Sequence, residues 1–279
     1  MSSPAGHGAR RGRPPLRAIT FDFGNTLVAV DRAALEAVVG ALADAAAPRF
    51  GVDREAFRVA WAEERARQLR EEVPRFREVD LAVRLRRVLA RLRGAPAPSW
   101  DAAWDDAGTA GRSTPDEIDF GLDVYSRAFV AAIPPGPFEG ALLARLASRY
   151  RVGILSNWPL AVTIDQYAEA AGWTPHLAAI VVSERVGAIK PHPAIFRAAE
   201  TALAPAGAPP LDPGSVLHVG DDWAADVVGA TRAGWRSAYL RARPADSPLP
   251  ASEPDSNGEP DLVLDRLADL EMALETLEG

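Results

Sequence analysis

Six short apolar runs mark the chain, near residues 18–23, 151–156, 178–183, 216–220, 237–240 and 261–265. From the second onward they alternate with stretches of about ten to fifteen residues whose apolar positions recur at helical spacing. Strand-length and helix-length segments in alternation leave few options: parallel strands need crossovers, and helices supply them. Several runs are continuously apolar ("VGIL", "AAIVV", "VLHV"), as strands covered on both faces must be. The pattern predicts an α/β fold, a Rossmann-like parallel sheet with helices on both faces.

One region breaks the alternation. Residues 31–137 contain no convincing strand, and "DRAALEAVVGALADAA", "DREAFRVAWAEERARQLREE", "EVDLAVRLRRVLARLR" and "PDEIDFGLDVYSRAFVAAI" all place apolar residues at helical spacing. Between the last two, a Gly- and Pro-rich stretch reads as a loop or a short turn of helix, and "IPPGP" forms a stiff connector at the end. The chain therefore divides into a core (17–30 and 138–279), an all-helical insertion (31–137) and an N-terminal segment (1–16). That segment holds Arg10, Arg11 and Arg13 among Gly, Pro and Ser and reads as a disordered basic tail. Near the other end, "RARPADSPLPASEPDSNGEPD" has no periodicity and reads as a loop.

Composition closes off several functions. No run approaches the ~18 apolar residues of a membrane span, and a net charge of -7 argues against non-specific binding to nucleic acid or anionic membranes. The absence of cysteine excludes disulfides, thiol catalysis and Cys-based zinc sites. No apolar stretch follows the Arg-Arg pair, so an export signal is not expected and the cytoplasm is the default compartment. The expected partner is a small-molecule substrate, and nothing in the sequence speaks to oligomeric state. Basic residues are lopsided, thirty arginines against one lysine, Lys190, which makes that lysine conspicuous.

In open parallel sheets, ligands sit beyond the carboxyl ends of the strands. The first run ends on Asp22, with Gly24, Asn25 and Thr26 in the turn after it, and the second ends on Ser156 and Asn157. Lys190 follows the third in "SERVGAIKPHP", and Asp221, Asp222 and Asp226 follow the fourth in "HVGDDWAAD". Carboxylates gathered at one edge repel one another and need a cation or shared protons. Oxygen ligands without His or Cys suit Mg²⁺, which keeps waters and binds substrate phosphates. A carboxylate can also attack an electrophile and become covalently modified, while a hydroxyl, an amide and a lysine hold an anionic group.

These residues resemble the four motifs of the haloacid dehalogenase (HAD) superfamily of hydrolases. Asp22-Phe23-Gly24-Asn25-Thr26 is similar to the first motif, D-x-D-x-T; Ser156 to the strand-end Ser/Thr of the second; Lys190-Pro191 to the third; and Gly220-Asp221 with Asp226 to the fourth, G-D-x-x-x-x-D. The insertion after the first motif looks like the family's helical C1-type cap. The resemblance implies a Mg²⁺-dependent phosphatase acting on a small phosphate ester through an aspartyl-phosphate at Asp22. It implies metal ligation by Asp22, the Gly24 carbonyl and Asp221, and assigns Asp226 to the outer shell or to steering Lys190. Ser156 and Asn157 would hold the transferred group.

One position departs from the pattern. Family phosphatases carry an acid–base aspartate two residues after the nucleophile, and this chain has Gly24. Dehalogenases of the family and enzymes that cleave carbon–phosphorus bonds also lack it. The former typically have a Ser/Asn-rich fourth motif and no metal, unlike "GDDWAAD", and the latter use a cap lysine that this chain does not have. A dehalogenase-like hydrolase of another bond, and a weakly active or inactive domain that binds a ligand or partner, stay open beside the phosphatase. So do the supporting roles: Thr26 as site residue or turn support, Asp222 as metal ligand or as cap of the helix at Trp223. Arg75 and Arg77, in the proline-broken turn "PRFREVD", either face the substrate or sit in a solvated connector.

Overall fold

The computed structural model describes residues 13–100 and 102–278. Strands β1 (Ala18–Phe21), β2 (Arg151–Ser156), β3 (Ala179–Val182), β4 (Val216–Gly220), β5 (Arg236–Leu240) and β6 (Leu262–Leu264) form one sheet in the order β3-β2-β1-β4-β5-β6. Every neighbouring pair is parallel. Each apolar run read from the sequence is a strand, so the fold is the expected α/β architecture. β1 lies at the centre, where the strand order reverses, and Phe21 is in register with both Ile154 and Val219. The turn after β1 therefore opens onto the ends of β2 and β4, the crevice in which such sheets place their ligands.

Side chains alternate between two faces along each strand. Ile19, Phe21, Ile154 and Val219 enter one apolar cluster with Leu142 of α6 (Pro137–Ala147), Ile164 of α7 (Ala161–Ala170) and Leu274 of α11 (Leu270–Glu278). Ala18, Leu155 and Val216 enter another with Phe196 of α9 (Pro193–Ala202), which follows the single turn α8 (Ser183–Val186), and with Ala230 of α10 (Gly229–Arg232). Helices thus cover both faces, which is why the strands are largely apolar and their buried polar pair, Thr20 and His218, is hydrogen-bonded.

Between β1 and α6 lie α1 (Arg32–Phe50), α2 (Arg54–Glu72), α3 (Leu81–Leu92), a single turn α4 (Asp106–Thr109) and α5 (Pro115–Ala132). Aspartates start three of them: Asp31, Asp53 and Asp80 accept from the backbone N–H of Ala34, Ala56 and Val83 at 2.7, 2.8 and 3.0 Å. α5 begins with a reciprocal box between Thr114 and Glu117. This helical layer is joined to the core by aromatic packing. Phe129 of α5 meets Phe23 and Trp158 with ring centroids at 6.0 and 5.1 Å, and Ser126 shares a buried 2.8 Å hydrogen bond with Thr163 of α7.

Most of the segment expected as a disordered tail, residues 1–12, lies outside the described residues. Residues 13–16 are docked: Leu16 is buried, Arg13 pairs with Asp261, and the Pro14 carbonyl accepts from Arg236 at 2.6 Å. Among the described residues, no helix is long and apolar enough to cross a membrane.

Candidate active site

The turn after β1 sets the site. Asn25 takes the left-handed backbone conformation (φ 60°), a region Asn tolerates better than most residues. Gly24 is small for a different reason: a Cβ there would stand 2.5 Å from Leu249 Cδ1 and 3.3 Å from Trp158 Cζ3. The position that carries an acid in the resembling phosphatases is filled here by neighbouring side chains. Gly220 is likewise required by proximity, because a Cβ would overlap the Asp226 carboxylate.

Asp22, Asp221 and Asp226 converge, each offering a carboxylate oxygen within 4.8 Å of the others. Lys190, only 2% exposed, sits among them. Its ammonium donates to Asp22 Oδ1 at 2.8 Å, Asp226 Oδ1 at 2.6 Å and the Leu155 carbonyl at 2.9 Å, which uses all three N–H donors. Burial opposes the charge of Lys190, but Asp22 and Asp226 outweigh it and hold its pKa well above the ordinary lysine value. Asp226 is pushed far down despite its burial, by Lys190 and by a hydrogen bond from His218. Asp22 is raised, chiefly by burial. Among the described residues Asp221 has no cation at ion-pair distance and accepts only long contacts, from Asn25 Nδ2 at 3.4 Å and Thr26 Oγ1 at 3.5 Å. Burial, then repulsion from Asp22 and Asp226, lifts it to about 8.

The structure separates the other expected site residues. Asn157 brackets the backbone of Lys190, accepting from its N–H at 2.7 Å and donating to its carbonyl at 3.1 Å. Its side chain thereby places the lysine and keeps one Nδ2 N–H on the cavity wall. The Ser156 hydroxyl, in contrast, is buried with no hydrogen-bond partner. Asp222 caps the turn at Trp223, accepting from Ala225 N–H at 3.1 Å and from Ser252 Oγ at 2.5 Å. Asp226 accepts from Asp222 N–H at 2.9 Å through its second oxygen, so both its oxygens are engaged. Arg75 and Arg77 are exposed and neither reaches the cavity; Arg77 pairs with Glu72 at 2.7 Å. The turn that carries them points its arginines to solvent and contributes Phe76 and Glu78 to the wall.

A cavity of about 460 Å³ opens over Asp22, Lys190 and Asp221. Sequence reasoning missed much of its wall. His218 lies beneath Lys190, in contact with Asp226 Oδ1 at 3.0 Å and Thr20 Oγ1 at 2.8 Å. A carboxylate only accepts, so Nε2 carries the proton and Nδ1 accepts from the Thr20 hydroxyl. Burial, reinforced by Lys190, lowers its pKa. A polar histidine in the apolar run "VLHVG" was the available signal. The aperiodic loop 241–261 gave none, yet it supplies Leu249 and Ser252, and its Pro248 carbonyl accepts from Arg65 at 2.8 Å.

A parallel sheet with a carboxylate cluster at its switch point, a buried lysine and an inserted helical layer matches a hydrolase of the HAD type. The chain belongs to that family: the haloacid dehalogenase-like hydrolase model matches residues 16–234. Pyrimidine 5'-nucleotidase YjjG of Escherichia coli is 30% identical over 126 residues, 45% of this chain and 53% of that protein, so the match spans about half the relative's length. Among solved structures, 2-haloacid dehalogenase from Pseudomonas syringae superposes with a TM-score of 0.64 at 23% identity, covering 94% of this chain and 99% of that one. The HAD-hydrolase YfnB of Bacillus subtilis, bound to magnesium, gives 0.54 at 16% identity, covering 94% and 99%. At these identities the two structures speak for the fold alone.

Proposed function

We propose that this chain is a Mg²⁺-dependent phosphatase that hydrolyses a small phosphate monoester through an aspartyl-phosphate at Asp22. One observation carries the reading. Three carboxylates share one lysine, which satisfies two of them and leaves Asp221 with a pKa lifted to about 8. Near neutral pH such a carboxyl holds its proton, and a divalent cation would displace that proton and take the carboxylate as a ligand. The donors suit Mg²⁺: hard oxygens of Asp22 and Asp221, and the Gly24 carbonyl, which among the described residues receives no hydrogen bond. When bound, the ion would offset charge on the phosphate oxygens.

The chain's own groups do the rest. Lys190 holds Asp22 by Oδ1 and leaves Oδ2 free to attack phosphorus. The bond from phosphorus to the alcohol oxygen breaks, and that oxygen leaves with its electron pair and takes a proton from solvent. Water then attacks the phosphorus of the aspartyl-phosphate, which releases inorganic phosphate and restores the carboxylate. The second Nδ2 N–H of Asn157, on the cavity wall, is left to donate to a phosphate oxygen, with the unpartnered Ser156 hydroxyl buried next to it in sequence. A cavity of about 460 Å³ suits a small substrate.

A second reading draws on Gly24. A halide leaves without a proton, so a site whose acid position is filled by Leu249 also suits carbon–halogen hydrolysis. Assaying aryl, alkyl and nucleoside phosphates and 2-haloacids with Mg²⁺ and with EDTA decides between them. The expected result is Mg²⁺-dependent phosphate release that Asp22→Asn abolishes. Halide release undiminished in EDTA, with no phosphate release, would establish the second reading instead.

A further inference from the structure

The cap half of the cavity wall carries two cations that the protein does not pair. Arg84 of α3 is 4% exposed. Its Nε donates to Gln68 Oε1 at 2.9 Å, and its guanidinium lies 5.2 Å from the Trp61 ring centre. Among the described residues its two terminal nitrogens have no hydrogen-bond partner, and both Arg84 and Arg65 lack a carboxylate at ion-pair distance. Arg65 of α2 spends one nitrogen on the Pro248 carbonyl at 2.8 Å. Tyr125 of α5 is buried beside them and senses both charges. All three line the cavity that holds Asp22.

An unpaired buried cation is costly, and proteins ordinarily neutralise it with an acid. The acid on this wall does not serve. Glu78 accepts from Ser183 Oγ at 2.5 Å and from Val79 N–H at 2.9 Å, and burial raises its pKa. Burial also pulls Arg84 down to about 10. Gln68 holds Arg84 in place while donating to the Asp80 carbonyl at 2.8 Å, so the guanidinium is fixed in orientation before any ligand arrives. A fixed guanidinium with two free terminal nitrogens is the arrangement that grips a carboxylate or phosphate in bidentate fashion.

We propose that Arg65, Arg84 and the Tyr125 hydroxyl form a second anion site, and that the preferred substrate carries another anionic group, a carboxylate or a second phosphate, besides the phosphate that reaches Asp22. Leu35, Leu69, Val73 and Val79 line the same cavity, so the part joining the two anions is largely hydrocarbon. The inference rests on the phosphatase reading and names its substrate class.

Calorimetry with non-hydrolysable phosphonates in Mg²⁺ tests it. Alkyl phosphonates with chains of two to five carbons are compared with the ω-carboxy and ω-phosphono compounds of equal length. At the best length, the doubly anionic ligand binds the wild type on the order of 10–10²-fold more tightly, the worth of one or two charge-assisted hydrogen bonds. That ratio falls towards one in Arg84→Gln and in Arg65→Gln; the half-exposed Arg65 gives a second variant should the buried one fold poorly. The ω-carboxy and ω-phosphono arms tell which anion fits. Alkyl phosphonates that bind while the extra anion adds nothing at any length would overturn the second site and leave the phosphatase reading standing. No binding of any phosphonate, with no turnover of any phosphate ester, would overturn both.

Discussion

Lys190 is the residue on which the site turns. Its three N–H donors point to three different acceptors. A guanidinium is larger and planar and cannot send donors along those directions. Lys190→Arg is therefore expected to lose about 10²-fold or more in kcat, the scale of removing one electrostatic donor from an active site. Turnover near the wild-type rate would reduce the lysine to a packing role. At Gly24 the expectation concerns leaving groups. General acid–base help is typically worth about 10²–10⁴-fold, so the wild type is expected to hydrolyse aryl phosphates far faster than alkyl phosphates. Leu249 occupies the space a carboxylate would need. Gly24→Asp combined with Leu249→Ala is expected to narrow the aryl–alkyl gap more than either change alone. Steady-state kinetics on matched esters reads this directly, and an unchanged gap in the double variant would place the proton donor elsewhere.

At the scale of elements, the helical layer is set by its helix starts and by a hub at Arg93. This residue ends α3, donates to Glu117 at 2.6 and 3.1 Å and reaches the Phe50 carbonyl at 3.1 Å, so it ties together three helices. Thr114→Ala removes the cap of α5 and is expected to cost about 1 kcal/mol in denaturant unfolding. The Arg93 hydrogen bond lowers Glu117 to about 2, from an ordinary value near 4.5. A carboxyl whose folded pKa is depressed stabilises the fold above its unfolded pKa and loses that contribution as pH falls towards the folded one. The Tm difference between wild type and Glu117→Gln is thus expected to be present at pH 6 and to shrink between pH 4.5 and 2. A difference independent of pH would mean the ion pair contributes nothing. The helices were legible from periodicity, although the buried faces of α2 and α3 also carry Glu64, Arg67, Gln68 and Arg84. The arginines that matter were not. Arg75 and Arg77 drew notice because proline breaks the turn around them, whereas Arg65 and Arg84 sit in ordinary helical sequence, and only packing turns them into the cavity.

For the molecule as a whole, the acidic cluster makes stability depend on its counter-ion. A ligand that binds only the folded state adds about 2.7 kcal/mol at a concentration one hundred times its Kd. Mg²⁺ is expected to raise the Tm of the wild type, and Asp221→Asn is expected to abolish that rise. Holding Asp221 protonated at pH 7, where the unfolded carboxyl is ionised, costs stability, so metal-free Asp221→Asn is expected to be no less stable than the metal-free wild type. A Mg²⁺ response that survives in the variant would move the ion off Asp221.

The sheet and the residues at its strand ends could be read before any coordinates. Parallel strands buried on both faces are nearly continuously apolar, so a polar residue closing such a run announces itself, as Asp22, Ser156 and Asp221 do. Lys190 stood out because arginine carries nearly all the other positive charge. Folding alone decided which partner each of these groups would find. Asn157 pairs with the Lys190 backbone, Asp222 with a helix start, and His218 with Asp226. The cavity wall is assembled from segments far apart in sequence: α2, α3, α5 and the loop 241–261. Local sequence records a residue's backbone preference and its solubility, and neither contains the distance to a side chain two hundred positions away. Arg65 meets Pro248, and Gly24 meets Leu249, only because the helical layer and the loop close over the same strand end.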